Sequence, residues 1–150
     1  MASRKELLAL GERCEKATGP DREIDATLDL LVGGPQDFFG PAFGTVYVDG
    51  PEYHNGAATW AGGGRRYYVP VYTASLDAIT ALIERKLPGY RWTATSDKRE
   101  GVAAAWIWQE LRFPEDESRD VPLLRNIEAE GATGALALAA AVFRTLAERA

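Results

Sequence analysis

The feature that most constrains this chain is an unbroken apolar run, Ala135–Phe143. It is too short to cross a bilayer, which takes about 20 residues. It therefore belongs in a folded core. Thr133 stands where a helix cap is needed. Leu136, Ala139/Ala140, Phe143 and Leu146/Ala147 then recur at helical spacing and predict one apolar face. The partners of that face must come from the rest of the 150 residues, a length that suits a single domain spanning 1–150. A domain of this size buries roughly 68–70% of its unfolded surface and needs no covalent staple.

The chain has one cysteine and one histidine, which excludes an internal disulfide and the usual Cys/His zinc cages. No metal and no cofactor are expected. The formal net charge is -5, which argues against a nonspecific grip on nucleic acid phosphates. Met1–Arg4 leads directly into a charged amphipathic stretch rather than an apolar signal core. We expect no membrane partner and a cytoplasmic location.

Punctuation divides the chain. Ser3 with Glu6 is a capping-box pattern, and Leu7, Leu10, Cys14 and Ala17 follow on one helical face. Gly19-Pro20 ends that helix. Asp21 can cap a second, with Ile24, Thr27/Leu28 and Leu31 apolar, stopped by Gly33-Gly34-Pro35. Cys14 is expected in the core. Ser75 precedes a helix from Leu76 to about Leu87, with Leu76, Ile79, Leu82/Ile83 and Leu87 buried and Asp77 in the first turn. Tyr90, Trp92 and Ala94 alternate against Arg91, Thr93 and Thr95, which predicts a half-buried strand. After a turn at 97–101, Val102–Glu110 reads as a strand with Trp106 and Trp108 on one face and Ile107 on the other. Arg125–Gly131 is the next, with Ile127 and Ala129 facing one way.

The stretch 35–68 is an insert of different composition. It holds almost half of the 15 glycines and more than half of the aromatics. Thr45–Val48 reads as a strand followed by a turn at Asp49-Gly50, and Tyr67–Tyr72 could pair with it. Pro70 would confine that strand to a sheet edge. The expected class is α+β: a three-layer α/β/α sandwich around a small, mainly antiparallel sheet, in the order α-α-(β-β insert)-α-β-β-β-α.

Three blocks resemble the phage ABA (alpha-beta-alpha) sandwich domain family. They are Ala17-Thr18-Gly19-Pro20-Asp21-Arg22-Glu23-Ile24-Asp25-Ala26, then Tyr72–Ala78 with Pro88-Gly89-Tyr90-Arg91-Trp92, then Gly131–Ala140. The resemblance implies a small phage or prophage protein with a layered sandwich fold. It carries over no catalytic residue. The insert 35–68 is longer and more aromatic than the resemblance suggests. The terminal α-β-β-β-α order is also that of double-stranded RNA-binding domains, but the start of the last helix, 132–137, has no Lys or Arg.

Within the blocks, Thr73 and Ser75 with Asp77 read as capping chemistry. No catalytic constellation stands out. His54 is expected as an exposed loop residue, and Gly62-Gly63-Gly64-Arg65-Arg66 lacks the Walker spacing. A forked donor beside aromatic rings still suits an anionic, ring-bearing ligand. Trp60, Arg65, Arg66, Tyr67 and Tyr68 are therefore the candidate ligand-binding residues. The expected activity is non-enzymatic: binding a small nucleotide-like molecule, in one version a host antiviral-defence signal. The alternative is an acidic protein-interaction module that docks a host protein through Glu115, Asp116, Glu117 and Asp120. A homo-oligomer is expected, formed through the Pro70 edge and the surplus aromatics of 35–68.

Overall fold

The fold follows from one helix that is buried almost all round. In the computed structural model, residues 2–40, 50–62, 64–95, 101–111 and 123–150 are described. The C-terminal helix α5, Gly134–Arg149, starts at Thr133, whose hydroxyl accepts from the Leu136 N–H at 3.2 Å. Every residue from Ala135 to Phe143 is buried. The expected single apolar face is thus too narrow. Alanine at 137, 139, 140 and 141 lets neighbours approach from several sides at once.

Those neighbours are helical and sheet elements. Helix α1, Arg4–Lys16, has the expected capping box and packs along α5 through Leu7, Gly11 and Cys14. Burial pushes the Cys14 thiol up to about 12, so it behaves as a small apolar side chain. Helix α2, Arg22–Leu31, is capped by Asp21, which accepts from the N–H groups of Glu23 and Ile24. A short third helix, α3, follows at Gly34–Phe39. Helix α4, Leu76–Lys86, is capped by Ser75 and buries Ile79, Leu82 and Ile83. Leu76, expected in that stripe, is exposed, because it sits in the first turn ahead of the packed face.

The main sheet runs β4 (Tyr90–Ala94), β5 (Ala103–Leu111), β6 (Leu123–Gly131), all antiparallel. Register places Trp92, Ile107 and Ile127 in one row and Ala94, Ala105 and Ala129 in the next. These rows face α5. The predicted alternation is observed: Thr93, Trp106 and Glu128 point the other way, as do Arg91, Trp108 and Asn126.

The insert forms a second sheet, with strands β1 (Glu52–His54), β2 (Ala57–Gly62) and β3 (Arg65–Tyr68). It is a meander with three strands instead of two. His54 ends a strand rather than lying in a loop. Asn55 (φ 51°) and Gly56 (φ 79°) make the tight turn after it, the positive-φ pair that a two-residue hairpin demands. The Tyr67 strand pairs with Ala57–Gly62 and stops at Tyr68, ahead of Pro70. Its expected partner, Thr45–Val48, lies outside the described residues, as do Asp49 and 96–100 of the expected turns.

The class is therefore α+β, with five helices and two small three-stranded antiparallel sheets among the described residues. One large apolar cluster joins α1, α2, α4, α5 and the main sheet. A second, small one holds Ala26, Ala58, Trp60 and Val69, with Phe39 and Tyr67 against it. Helix α2 contributes to both.

Close backbone approach fixes the β6–α5 junction. A Cβ on Gly131 would stand 2.7 Å from the Ala137 nitrogen, whereas one on Gly19 would meet nothing within 4 Å. Gly131→Ala is expected to cost about 1–3 kcal/mol in urea unfolding. Gly19→Ala should stay within about 0.5 kcal/mol. Equal effects at the two positions would contradict this packing.

Candidate functional site

The five candidate residues of the insert do not form one constellation. Antiparallel register sets Trp60 opposite Tyr67 and Gly62 opposite Arg65. Partners across a ladder share a face, so Trp60, Arg65 and Tyr67 point one way and Arg66 and Tyr68 the other.

The inner set is committed to packing. Trp60 is buried and Tyr67 half-buried in the small cluster. The Arg65 guanidinium lies 4.5 Å from the centroid of the Phe38 ring, and its Nη2 donates to the Phe38 carbonyl at 3.4 Å. Phe38 in turn leans on Tyr67, with ring centroids 5.2 Å apart. Arg65 thus clips the hairpin to α3 by cation–π contact.

The outer set is open. Tyr68 is 69% exposed and Arg66 is exposed two residues before it, on the same face. Between the edge strands, β2 presents only Ala57, Thr59 and Ala61 to this face, with Glu52 and His54 beyond on β1. Thr59 in the middle of this row is buried, and Ala57 and Ala61 are half-buried, so the exposed groups of the face are Arg66 and Tyr68 on β3 and Glu52 and His54 on β1. The other candidate group, Glu115, Asp116, Glu117 and Asp120, lies outside the described residues.

Sequence reading missed a buried polar seam behind the insert. Asp25 and Asp29, one helical turn apart on α2, are both fully buried. Asp25 accepts from Arg22 and, at 2.7 Å, from the Thr73 N–H. Arg22 also donates to the carbonyls of Val69 and Pro70. Asp29 accepts from the Tyr72 hydroxyl at 2.9 Å and the Tyr67 hydroxyl at 3.4 Å. Thr73 is not a cap: its hydroxyl accepts from the Asp21 N–H at 2.9 Å. Ser75 alone caps α4. The seam ties the 69–73 segment to α2. Gly34 is part of it, since a Cβ there would fall 2.2 Å from Asp29 Oδ1. The one signal in the sequence is the i, i+4 spacing of the aspartates beside Gly33-Gly34.

Burial raises both carboxyls above the ordinary aspartate range, against the pull of their hydrogen bonds. The same burial, with Asp29 adjacent, pushes the Tyr67 hydroxyl up to about 12 and Tyr72 further still. Asp29 is sealed from solvent, so it has no access to a substrate. Among the described residues, no group of three His, Cys, Asp or Glu side chains could hold a metal ion. None of the described helices is long and apolar enough to cross a membrane.

Two further hollows are lined by described residues. One of about 610 Å³ lies at the end of α5, between Tyr90, Gln109, Ile127, Thr145, Glu148 and Arg149. Another of about 430 Å³ lies on the outer face of the main sheet, between Thr93, Trp106, Trp108 and Asn126. Compared with protein-family profiles, with curated proteins and with solved structures, the chain matches none.

The raised carboxyl of Asp29 has a defined consequence. A group whose folded pKa lies above its unfolded value, about 3.9 for Asp, contributes its full stability below that value. That contribution is lost as pH rises through the folded pKa. Asp29→Asn removes the titration and keeps the acceptor for Tyr72. Its stability relative to the parent chain should therefore improve from pH 4 upward, as read by urea midpoints. A difference that stays constant with pH would contradict the burial argument. Asp25→Asn should show the same upward trend with pH, from a lower starting level, because it leaves Arg22 short of its partner at every pH.

Proposed function

We propose that the chain is a small phage or prophage accessory protein of the ABA sandwich type. It binds an anionic, nucleotide-like ligand without turnover and so sequesters a host defence signal in the host cytoplasm. The observation that carries this reading is the pairing of Arg66 and Tyr68 on the outer face of β3, both exposed, beside the small side chains of β2. A guanidinium presents forked donors to phosphate, and a neighbouring phenol ring can stack on a base. Arg65, Trp60 and Tyr67 support the hairpin from behind rather than touch the ligand.

Two of the blocks that carry the family resemblance are in contact. Asp21 and Asp25 of the first bond to Thr73 of the second. The expected three-layer sandwich needs a cover on the outer face of the main sheet. Trp106 and Trp108, half-exposed there, are the support for such a cover.

Mass spectrometry of species released from the denatured protein, with thermal-shift measurements across a nucleotide panel, tests the reading. Arg66→Ala and Tyr68→Ala should each weaken binding at least about tenfold, the worth of one charge-assisted or stacking contact. Arg65→Ala should lower the melting temperature while leaving affinity nearly unchanged. Protein that retains no species and shows no shift with any nucleotide would end the proposal.

A further inference from the structure

Two arginines from different elements border an exposed aromatic ring on α3. The Phe38 ring is 38% exposed. The Arg65 guanidinium lies 4.5 Å from its centroid, and the Tyr67 ring 5.2 Å from it. Arg85 of α4 reaches the same place. Its charge opposes the burial that raises the Tyr67 hydroxyl and the Asp29 carboxyl behind it. Arg65 and Arg85 are both exposed. Arg65 donates one N–H to the Phe38 carbonyl, and Arg85 makes no hydrogen bond or ion pair among the described residues. The acid of α3, Asp37, is already taken by Lys86. The strip of Arg65, Phe38, Tyr67 and Arg85 thus carries two positive charges without an ion-pair partner, on a chain whose formal net charge is -5.

We infer that this strip docks an acidic segment of a partner protein, one with an apolar side chain between carboxylates. The Phe38 ring receives the apolar side chain. The two guanidiniums, each with N–H donors to spare, receive the carboxylates. Charges at the rim steer encounter and fix register, while the ring supplies the dry contact. A bare phosphate would leave Phe38 unused. A nucleic acid needs a longer row of cations against its phosphates. A basic partner is turned away by the same two charges. Strand alternation aims Arg65 away from Arg66 and Tyr68, so this docking surface is independent of the ligand proposed for that pair.

Fluorescence anisotropy on the full chain tests the inference, with a short labelled peptide that carries leucine between pairs of aspartates. Binding should saturate below about 1 mM and weaken as salt rises. Replacing the peptide's aspartates with asparagine, or its leucine with serine, should each weaken binding about tenfold or more. Arg85→Glu should do the same, and Arg85→Lys should retain most of the affinity. Lys5→Glu makes the same change of charge at an exposed position on α1. It should alter binding by less than about twofold, because screening confines the effect of a distant charge. Circular dichroism should be unchanged in all three variants, since each position is exposed. Absence of saturable binding overturns the inference. So does equal weakening by Lys5→Glu and Arg85→Glu, which would make net charge rather than the strip the cause. Tighter binding of inorganic phosphate or of an oligonucleotide than of the peptide overturns it as well.

Discussion

Everything in this structure is arranged around the burial of α5. Its alanines are the reason it can serve as a hub. Small side chains let α1 approach through Gly11, whose added Cβ would lie 3.5 Å from the Ala140 carbonyl. They let β6 approach still closer at Gly131. Such close packing raises contact density without long side chains, and dispersion then acts over many atom pairs. The polar fastening is peripheral. Arg144 of α5 bonds to Glu15 of α1 and to the Glu128 carbonyl, while Glu15 also accepts from the Glu130 N–H. One arginine–glutamate pair thus joins α1, α5 and β6 at the rim of an otherwise apolar junction.

Helix α2 plays the opposite part. It joins the main core to the insert, and it does so with charge as well as apolar surface. Ile24 and Leu28 belong to the large cluster, whereas Ala26 belongs to the small one. Asp25 and Asp29 turn toward the 69–73 segment. Burying two carboxyl groups is costly, and the cost is offset by Arg22 and Thr73 at Asp25 and by Tyr72 and Tyr67 at one oxygen of Asp29. The insert's small apolar cluster is a weak anchor by itself. Directional bonds to Thr73 and Tyr72 set the place where β3 leaves the sheet and α4 begins.

The faces of the two sheets differ in what they leave exposed. On the insert, alternation separates the inner Arg65, Tyr67 and Trp60 from the outer Arg66 and Tyr68. Adjacent arginines in the chain therefore serve unrelated ends, one clamped on Phe38 and one open to solvent. On the main sheet, the same alternation leaves a tryptophan pair outside the core. Both surfaces are products of the two-residue period of a strand.

Local order was legible in the sequence. The caps at Ser3, Asp21, Ser75 and Thr133, the stripe of α1, and the two faces of β4, β5 and β6 were all encoded within a few residues. Their signals depend on spacing along the chain, and spacing is visible without a fold. The Asn55-Gly56 turn was missed, because the segment around His54 suggested a loop, although Asn-Gly is the residue pair such a hairpin turn demands. Tertiary structure decided the rest. The Tyr67 strand took Ala57–Gly62 as its partner, and helix α5 was enclosed on more sides than its one expected stripe. Asp25 and Asp29 look like surface residues until Thr73 and Tyr72, 48 and 43 positions away, close over them. The candidate site divided for the same reason. Residue type suggested which side chains could bind an anion, but only strand pairing determined which of them share a face. Burial and pairing are set by long-range neighbours, and no local period carries that information.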